Sequence, residues 1–263
     1  MVAEANILNL LYTDQASATA AAIAHLGPGT TVTIAGDNLT ALTPVTLIAT
    51  NGHVTLVFVL GTTNYQQASL QAMFSLLPPQ TQAAYGTNPF WQAASNIIAQ
   101  RIIDSGVSLD TEIRLVGHSY GGATATLLAA QMKRYQAART VELLTFGAPK
   151  PGDARLVALL QDIPSMAIVN EGDPIPSMPP SATWLYPFLP TTELDILAGW
   201  AAYEQPPNRF LMNAAGVLTP STDPSFTILQ LGELVADALT STPPGAFAAH
   251  SMNAYYTAIS LPQ

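Results

Sequence analysis

The chain has 263 residues, of which 49% are hydrophobic and only 10% charged, a balance that excludes a disordered chain and a coiled coil, both rich in charge. Aspartate and glutamate outnumber lysine and arginine 17 to 8, for a formal charge of −9, which leaves no basic footprint for nucleic acid or anionic lipid headgroups. There is no cysteine, so a disulfide framework, a thiolate nucleophile and a cysteine metal site are all excluded.

At the start, Met1–Glu4 has no basic region, and Asn6, Asn9, Thr13 and Asp14 interrupt the apolar stretch. No secretory leader is expected in this chain, and secretion with the leader already absent stays compatible with it. No apolar run is long enough for a membrane-spanning helix. Alanine-rich Thr13–Leu26 is predicted helical and stopped by Gly27-Pro28-Gly29. Thr30–Ala35 reads as a strand. Pro44–Thr50 and His53–Leu60 flank Asn51-Gly52, a two-residue hairpin signal. The run Val54–Leu60 is apolar on both faces, as a central strand covered on both sides must be. Leu70–Leu77 and Phe90–Ser105 read as helices. Glu112–Val116, Val141–Phe146 and Ser165–Asn170 read as strands, with helices at Ala123–Ala138 and Asp153–Asp162 between them. This alternation predicts a mostly parallel sheet with helices on both faces. From Pro174 onward prolines break the regularity, and Thr192–Tyr203 and Pro224–Leu239 are further helix candidates. One domain over residues 1–263 is expected, with a cap or insertion between about 177 and 248.

The residues that carry chemistry are Gly117-His118-Ser119-Tyr120-Gly121-Gly122, set between a strand and a helix of small residues. G-x-S-x-G in a strand–turn–helix context is a nucleophile elbow. The bend forces the serine into a strained backbone conformation, and side chains two residues before and after it would collide. The serine then stands at a helix N-terminus, where free N–H groups favour negative charge.

A serine hydroxyl needs a base. Of four histidines, His25 ends a helix, His53 follows the hairpin turn at the wrong end of its strand, and His118 reads as structural. His250, placed in a loop before a final helix, fits the order serine, acid, histidine. Asp173, just after the strand Ser165–Asn170, is the acid candidate, with Glu171 as its rival. Asp153, Asp195 and Asp223 have structural explanations as helix residues or caps. One oxyanion donor is expected from the backbone of Tyr120, and another from Thr62, in the loop Gly61–Asn64 after a central strand.

Together, Phe58-Val59-Leu60-Gly61-Thr62, the elbow, Thr145-Phe146-Gly147-Ala148-Pro149-Lys150-Pro151-Gly152, Asn170-Glu171-Gly172-Asp173-Pro174-Ile175-Pro176 and His250 resemble the fungal-type, or class 3, lipase family of the α/β-hydrolase fold. The resemblance implies Ser119 as nucleophile, Asp173 as acid, His250 as base, Thr62 and Tyr120 as oxyanion donors, and cleavage of carboxylic esters, often acylglycerols, without a cofactor; the scattered histidines offer no metal-ligand cluster.

Leu70, Met73, Phe74 and Leu77 form one apolar stripe directly after the oxyanion loop. It reads either as a lid, the element the resemblance implies there, or as a surface helix. Phe74 and Leu77, with Trp184, Tyr186 and Phe188 of a second apolar cluster, are candidates for substrate contact. The expected partner is an ester or lipid, at an oil–water interface if the lipase reading holds. The rivals are a soluble-ester, polyester or feruloyl esterase, an acyltransferase, and a non-catalytic binding protein. Oligomeric state, compartment and acyl length are not legible.

Overall fold

A computed structural model describes residues 1–36, 43–62, 80–82, 85–108, 110–137, 139–179, 202–221 and 245–261. The helix candidates Leu70–Leu77 and Pro224–Leu239, and residues 192–201 of the candidate Thr192–Tyr203, lie outside the described residues. Ala202 and Tyr203, which are described, are not helical.

Two helices lead, α1 (Val2–Thr13) and α2 (Gln15–Leu26). Asp14 alone separates them, its carboxylate accepting from the backbone N–H of Ala16 and Ser17 at 3.0 and 3.2 Å to cap α2. Helix α1 was not expected. Its buried residues Glu4, Ala5, Ile7, Leu8 and Leu11 follow helical spacing, and Asn6 and Asn9 stand between them without breaking it.

Strands β1 (Thr31–Ala35), β2 (Thr46–Thr50) and β3 (Val54–Val59) pair antiparallel in order. The hairpin turn falls one residue later than Asn51-Gly52 implied. Asn51 N–H donates to Val54 O, so Gly52 and His53 are the central pair, with Gly52 at φ +86°. Asn51 Oδ1 accepts from the N–H of His53 and Val54. The asparagine thus closes the turn from its first corner while glycine supplies the positive φ.

Strands β4 (Gln80–Gln82) and β5 (Tyr85–Thr87) form a small hairpin of their own. Then come α3 (Pro89–Asp104), β6 (Glu112–His118), α4 (Tyr120–Tyr135), β7 (Val141–Phe146), α5 (Ala154–Leu160) and β8 (Ser165–Asn170). A 3₁₀ turn at Ile175–Ser177 follows. Strands β9 (Arg209–Met212) and β10 (Leu218–Pro220) were not expected. They fall inside the stretch read as cap or insertion, yet they extend the main sheet. The chain closes with α6 (Gly245–His250) and α7 (Met252–Ile259).

The main sheet has eight strands in the order β1-β2-β3-β6-β7-β8-β9-β10. Strands β3, β6, β7, β8 and β9 are parallel, so their carboxyl ends open on one edge, where ligands bind in open α/β sheets. Side-chain alternation divides the core in two. Val57 and Val59 of β3, with Ile113 and Leu115 of β6, face the side covered by α3, α4 and α5. Leu56, Phe58 and Leu60, with Val116, Leu144 and Phe146, face the side covered by α1, α2 and α7. The doubly apolar β3 is therefore buried on both faces, as its composition requires.

Candidate active site

Four loops converge at the carboxyl edge. Between β6 and α4 stands Ser119, at φ 56° and ψ −130°, one of two non-glycine residues with positive φ among those described. The flanking glycines are demanded by space. A Cβ on Gly117 would lie 2.5 Å from the carbonyl oxygen of Gly121, and one on Gly121 would lie 2.2 Å from that of Val59. Helix α4 begins at Tyr120, three residues before the expected Ala123, so the serine sits directly against its N-terminus.

His250 is the last residue of α6, not a loop residue as expected, and Ser251 already caps α7 with its Oγ accepting from Ala254 N–H. The imidazole is thus fixed at a one-residue joint between two helices. Its Nε2 lies 2.7 Å from Ser119 Oγ and its Nδ1 lies 2.8 Å from Asp173 Oδ2. A carboxylate only accepts, so Nδ1 carries the proton and Nε2 is left to accept from the serine hydroxyl. Asp173 is buried after β8. Its Oδ1 accepts from Ile175 N–H at 2.9 Å, and its Oδ2 accepts from Tyr255 Oη at 2.6 Å as well as from His250. The rival Glu171 is exposed at the turn two residues before.

Sequence reasoning missed Tyr255. This fully buried residue of α7 donates to Asp173 and accepts from Asn170 N–H at 3.0 Å. Burial, reinforced by the Asp173 charge, pushes its phenol well above the ordinary range, so it stays a donor. Asn170 in turn donates through Nδ2 to Ala249 O at 2.9 Å, holding the residue before the histidine. Gly147, from the Thr-Phe-Gly-Ala-Pro stretch, has φ +58°, and a Cβ there would lie 2.8 Å from Asp173 Oδ2 and 3.1 Å from His250 Cε1. That glycine leaves the room in which Asp173 and His250 meet.

On the oxyanion side, Gly61 packs against the serine, with a Cβ there falling 2.7 Å from Ser119 Cβ. Its N–H donates to Tyr12 Oη at 2.7 Å, and the expected oxyanion donors Thr62 and Tyr120 follow Gly61 and Ser119 directly in the chain. Phe74, Leu77, Trp184, Tyr186 and Phe188 lie outside the described residues. Asp153 caps α5 and accepts from Gly86 N–H, a structural role, while Asp195 and Asp223 lie outside. His25 pairs with Glu4 at 3.4 Å, and His53 sits exposed at the hairpin turn. Among the described residues no cluster of His, Asp or Glu is arranged to hold a metal ion, and no helix is long and apolar enough to cross a membrane.

Residues 56–183 match the family model Lipase (class 3). Over 88 residues the chain is 35% identical to Lipase A of Sodiomyces alcalophilus, across 28% of this chain and 21% of that protein. It is 32% identical to phospholipase A1-II 4 of Oryza sativa subsp. japonica, across 31% of this chain and 22% of that protein. The matched stretch spans about a fifth of the length of these relatives. The structure is similar to lipase II from Rhizopus niveus, with a TM-score of 0.60 and 12% identity over 84% of this chain and 83% of that one, a likeness of fold. The class 3 lipase pattern thus matches residues 56–183, and the α/β-hydrolase fold around it is similar to that of fungal lipases.

Proposed function

We propose that this protein is a serine hydrolase that cleaves carboxylic esters of lipids through an acyl-enzyme intermediate. The observation that supports the reading most is the pair of bonds from one imidazole, 2.7 Å to Ser119 Oγ and 2.8 Å to Asp173 Oδ2. In this reading His250 Nε2 takes the hydroxyl proton as Ser119 Oγ attacks the ester carbonyl. Asp173 holds the Nδ1–H tautomer and stabilises the imidazolium that forms. The backbone N–H groups of Tyr120 and Thr62 receive the oxyanion. His250 then protonates the leaving alcohol. Water, deprotonated by the same nitrogen, releases the acid and restores Ser119.

The relatives named lipase and phospholipase A1 support lipid esters as the substrate class. The low charge of the chain and the apolar segments around Phe74 and Trp184 suit a substrate presented at an oil–water interface. Residues 1–263 act as one hydrolase domain, with a cap or insertion between about 177 and 248 from which β9 and β10 return to the sheet.

The test is Ser119→Ala assayed on p-nitrophenyl butyrate. Turnover is expected to fall by about 10⁴-fold or more with the circular dichroism spectrum unchanged. A variant that keeps the wild-type rate contradicts the assignment.

A further inference from the structure

His118 and Tyr12 take no part in the chemistry above, yet His118 is buried and Tyr12 half-buried beside it, and both are bonded on both sides. His118 Nε2 lies 2.7 Å from the carbonyl oxygen of His250. A carbonyl only accepts, so Nε2 carries a proton. The ring is fully enclosed, and burial, reinforced by the neighbouring His250, lowers its pKa well below the ordinary histidine value. It is therefore neutral, and its Nδ1 is an acceptor. Tyr12 Oη lies 2.7 Å from that Nδ1, so the phenol donates there. The same phenol oxygen accepts from Gly61 N–H at 2.7 Å. Burial raises the phenol far above its usual pKa, so the donor is never lost in the working range.

All donor directions follow from one another. Gly61 N–H gives to Tyr12, Tyr12 gives to His118, and His118 gives to the backbone of His250. The chain begins in the loop after β3 and ends at the histidine joint between α6 and α7. It passes through α1 and the end of β6, elements far apart in sequence. The two imidazoles lie 4.8 Å apart, inclined by 31°, so His118 also packs along the ring it holds.

We propose that Tyr12 and His118 are positioning residues that tie the oxyanion loop at Gly61 to the His250 backbone through one directed hydrogen-bond chain. This rests on the serine-hydrolase reading. Their contribution lies in holding the oxyanion donors and the base in register with Ser119 in the transition state. Losing a link is expected to lower kcat and leave KM nearly unchanged, because the ground-state ester needs neither constraint.

The experiment uses the full chain and p-nitrophenyl butyrate, with the fluorophosphonate labelling rate as a second readout. Tyr12→Phe keeps the ring and removes both bonds of the phenol. His118→Gln keeps a donor near the Nε2 position and removes the acceptor facing Tyr12. Each is expected to lower kcat about tenfold with KM within about twofold of wild type. The double variant is expected to lose no more than about twofold beyond either single one, since both break the same link. Multiplying losses, or kcat within about twofold of wild type in Tyr12→Phe, overturns the proposal.

The nitrogen-15 shifts of the wild-type imidazoles test it without any variant. His118 is expected as the neutral Nε2–H tautomer at pH 7, and an Nδ1–H tautomer contradicts the chain. If Tyr12→Phe does not fold, His118→Gln and these shifts decide. A wild type that neither turns over the ester nor takes the probe overturns the hydrolase reading itself. The shifts and the effect of each variant on His250 tautomer then still decide the tie.

Discussion

Asp173 is buried and receives three donors, His250 Nδ1, Tyr255 Oη and Ile175 N–H. Each steadies the carboxylate that must hold the imidazole in one tautomer. Asp173→Asn offers an N–H where an acceptor is required, and we expect kcat on a short ester to fall about 10⁴-fold while the fold survives. Tyr255→Phe removes one donor to the acid and strands Asn170 N–H in the interior. It is expected to lower the unfolding free energy by about 1–3 kcal/mol and kcat by about tenfold, read by urea melts and steady-state rates. An unaltered variant on both measures would separate Tyr255 from the acid's function. At this scale chain order and motif were enough to name three side chains that the fold brings into hydrogen-bonding distance, Ser119, Asp173 and His250. The sequence was silent on Tyr12 and Tyr255. Nothing in the local pattern of α1 or α7 marks one tyrosine as the residue the fold carries to Gly61 or to Asp173, since these contacts span 49 and 82 residues.

At the scale of elements, the bend from β6 into α4 depends on glycine for room. A methyl on Gly121 would lie 2.2 Å from the carbonyl oxygen of Val59. Gly121→Ala must therefore part β3 from α4, and a loss of about 1–3 kcal/mol in stability is expected from denaturant melts. Gly147→Ala acts differently, because its methyl would press on Asp173 and His250 at φ +58°. Activity should fall further than the melting temperature implies. A melt that drops without extra loss of rate would place Gly147 in the scaffold alone. The regular elements were readable because both periodicities were strong, as in doubly apolar β3 and the small-residue helix α4. Strands β9 and β10 were not, being four and three residues long and recruited by an existing sheet edge in place of their own pattern. Helix α1 was overlooked although its apolar residues keep helical spacing, since its asparagines read as interruptions of a leader rather than as one polar side.

For the whole molecule, the buried neutral His118 links stability to pH. Its folded-state pKa is depressed, so the unfolded chain, with a reference value of about 6.5, binds the proton first on acidification. Its contribution is complete above about pH 6.5 and is lost as the pH falls from there toward the folded-state value. Unfolding free energy should decline with pH in this window by up to about 1.4 kcal/mol per unit from this group, and His118→Gln should flatten the slope by about one proton. Equal slopes in the two proteins would contradict it. A lipid ester as substrate further predicts that the rate on tributyrin climbs when the ester passes its solubility limit, whereas smooth saturation would favour a soluble-ester esterase.

In the proposed mechanism His250 and Asp173 activate one hydroxyl, that of Ser119. Mass spectrometry of the protein after treatment with a fluorophosphonate reads this directly. A single adduct on Ser119 is expected, absent in Ser119→Ala and slowed by orders of magnitude in His250→Ala. No adduct, or an adduct on another residue at the wild-type rate, would contradict it.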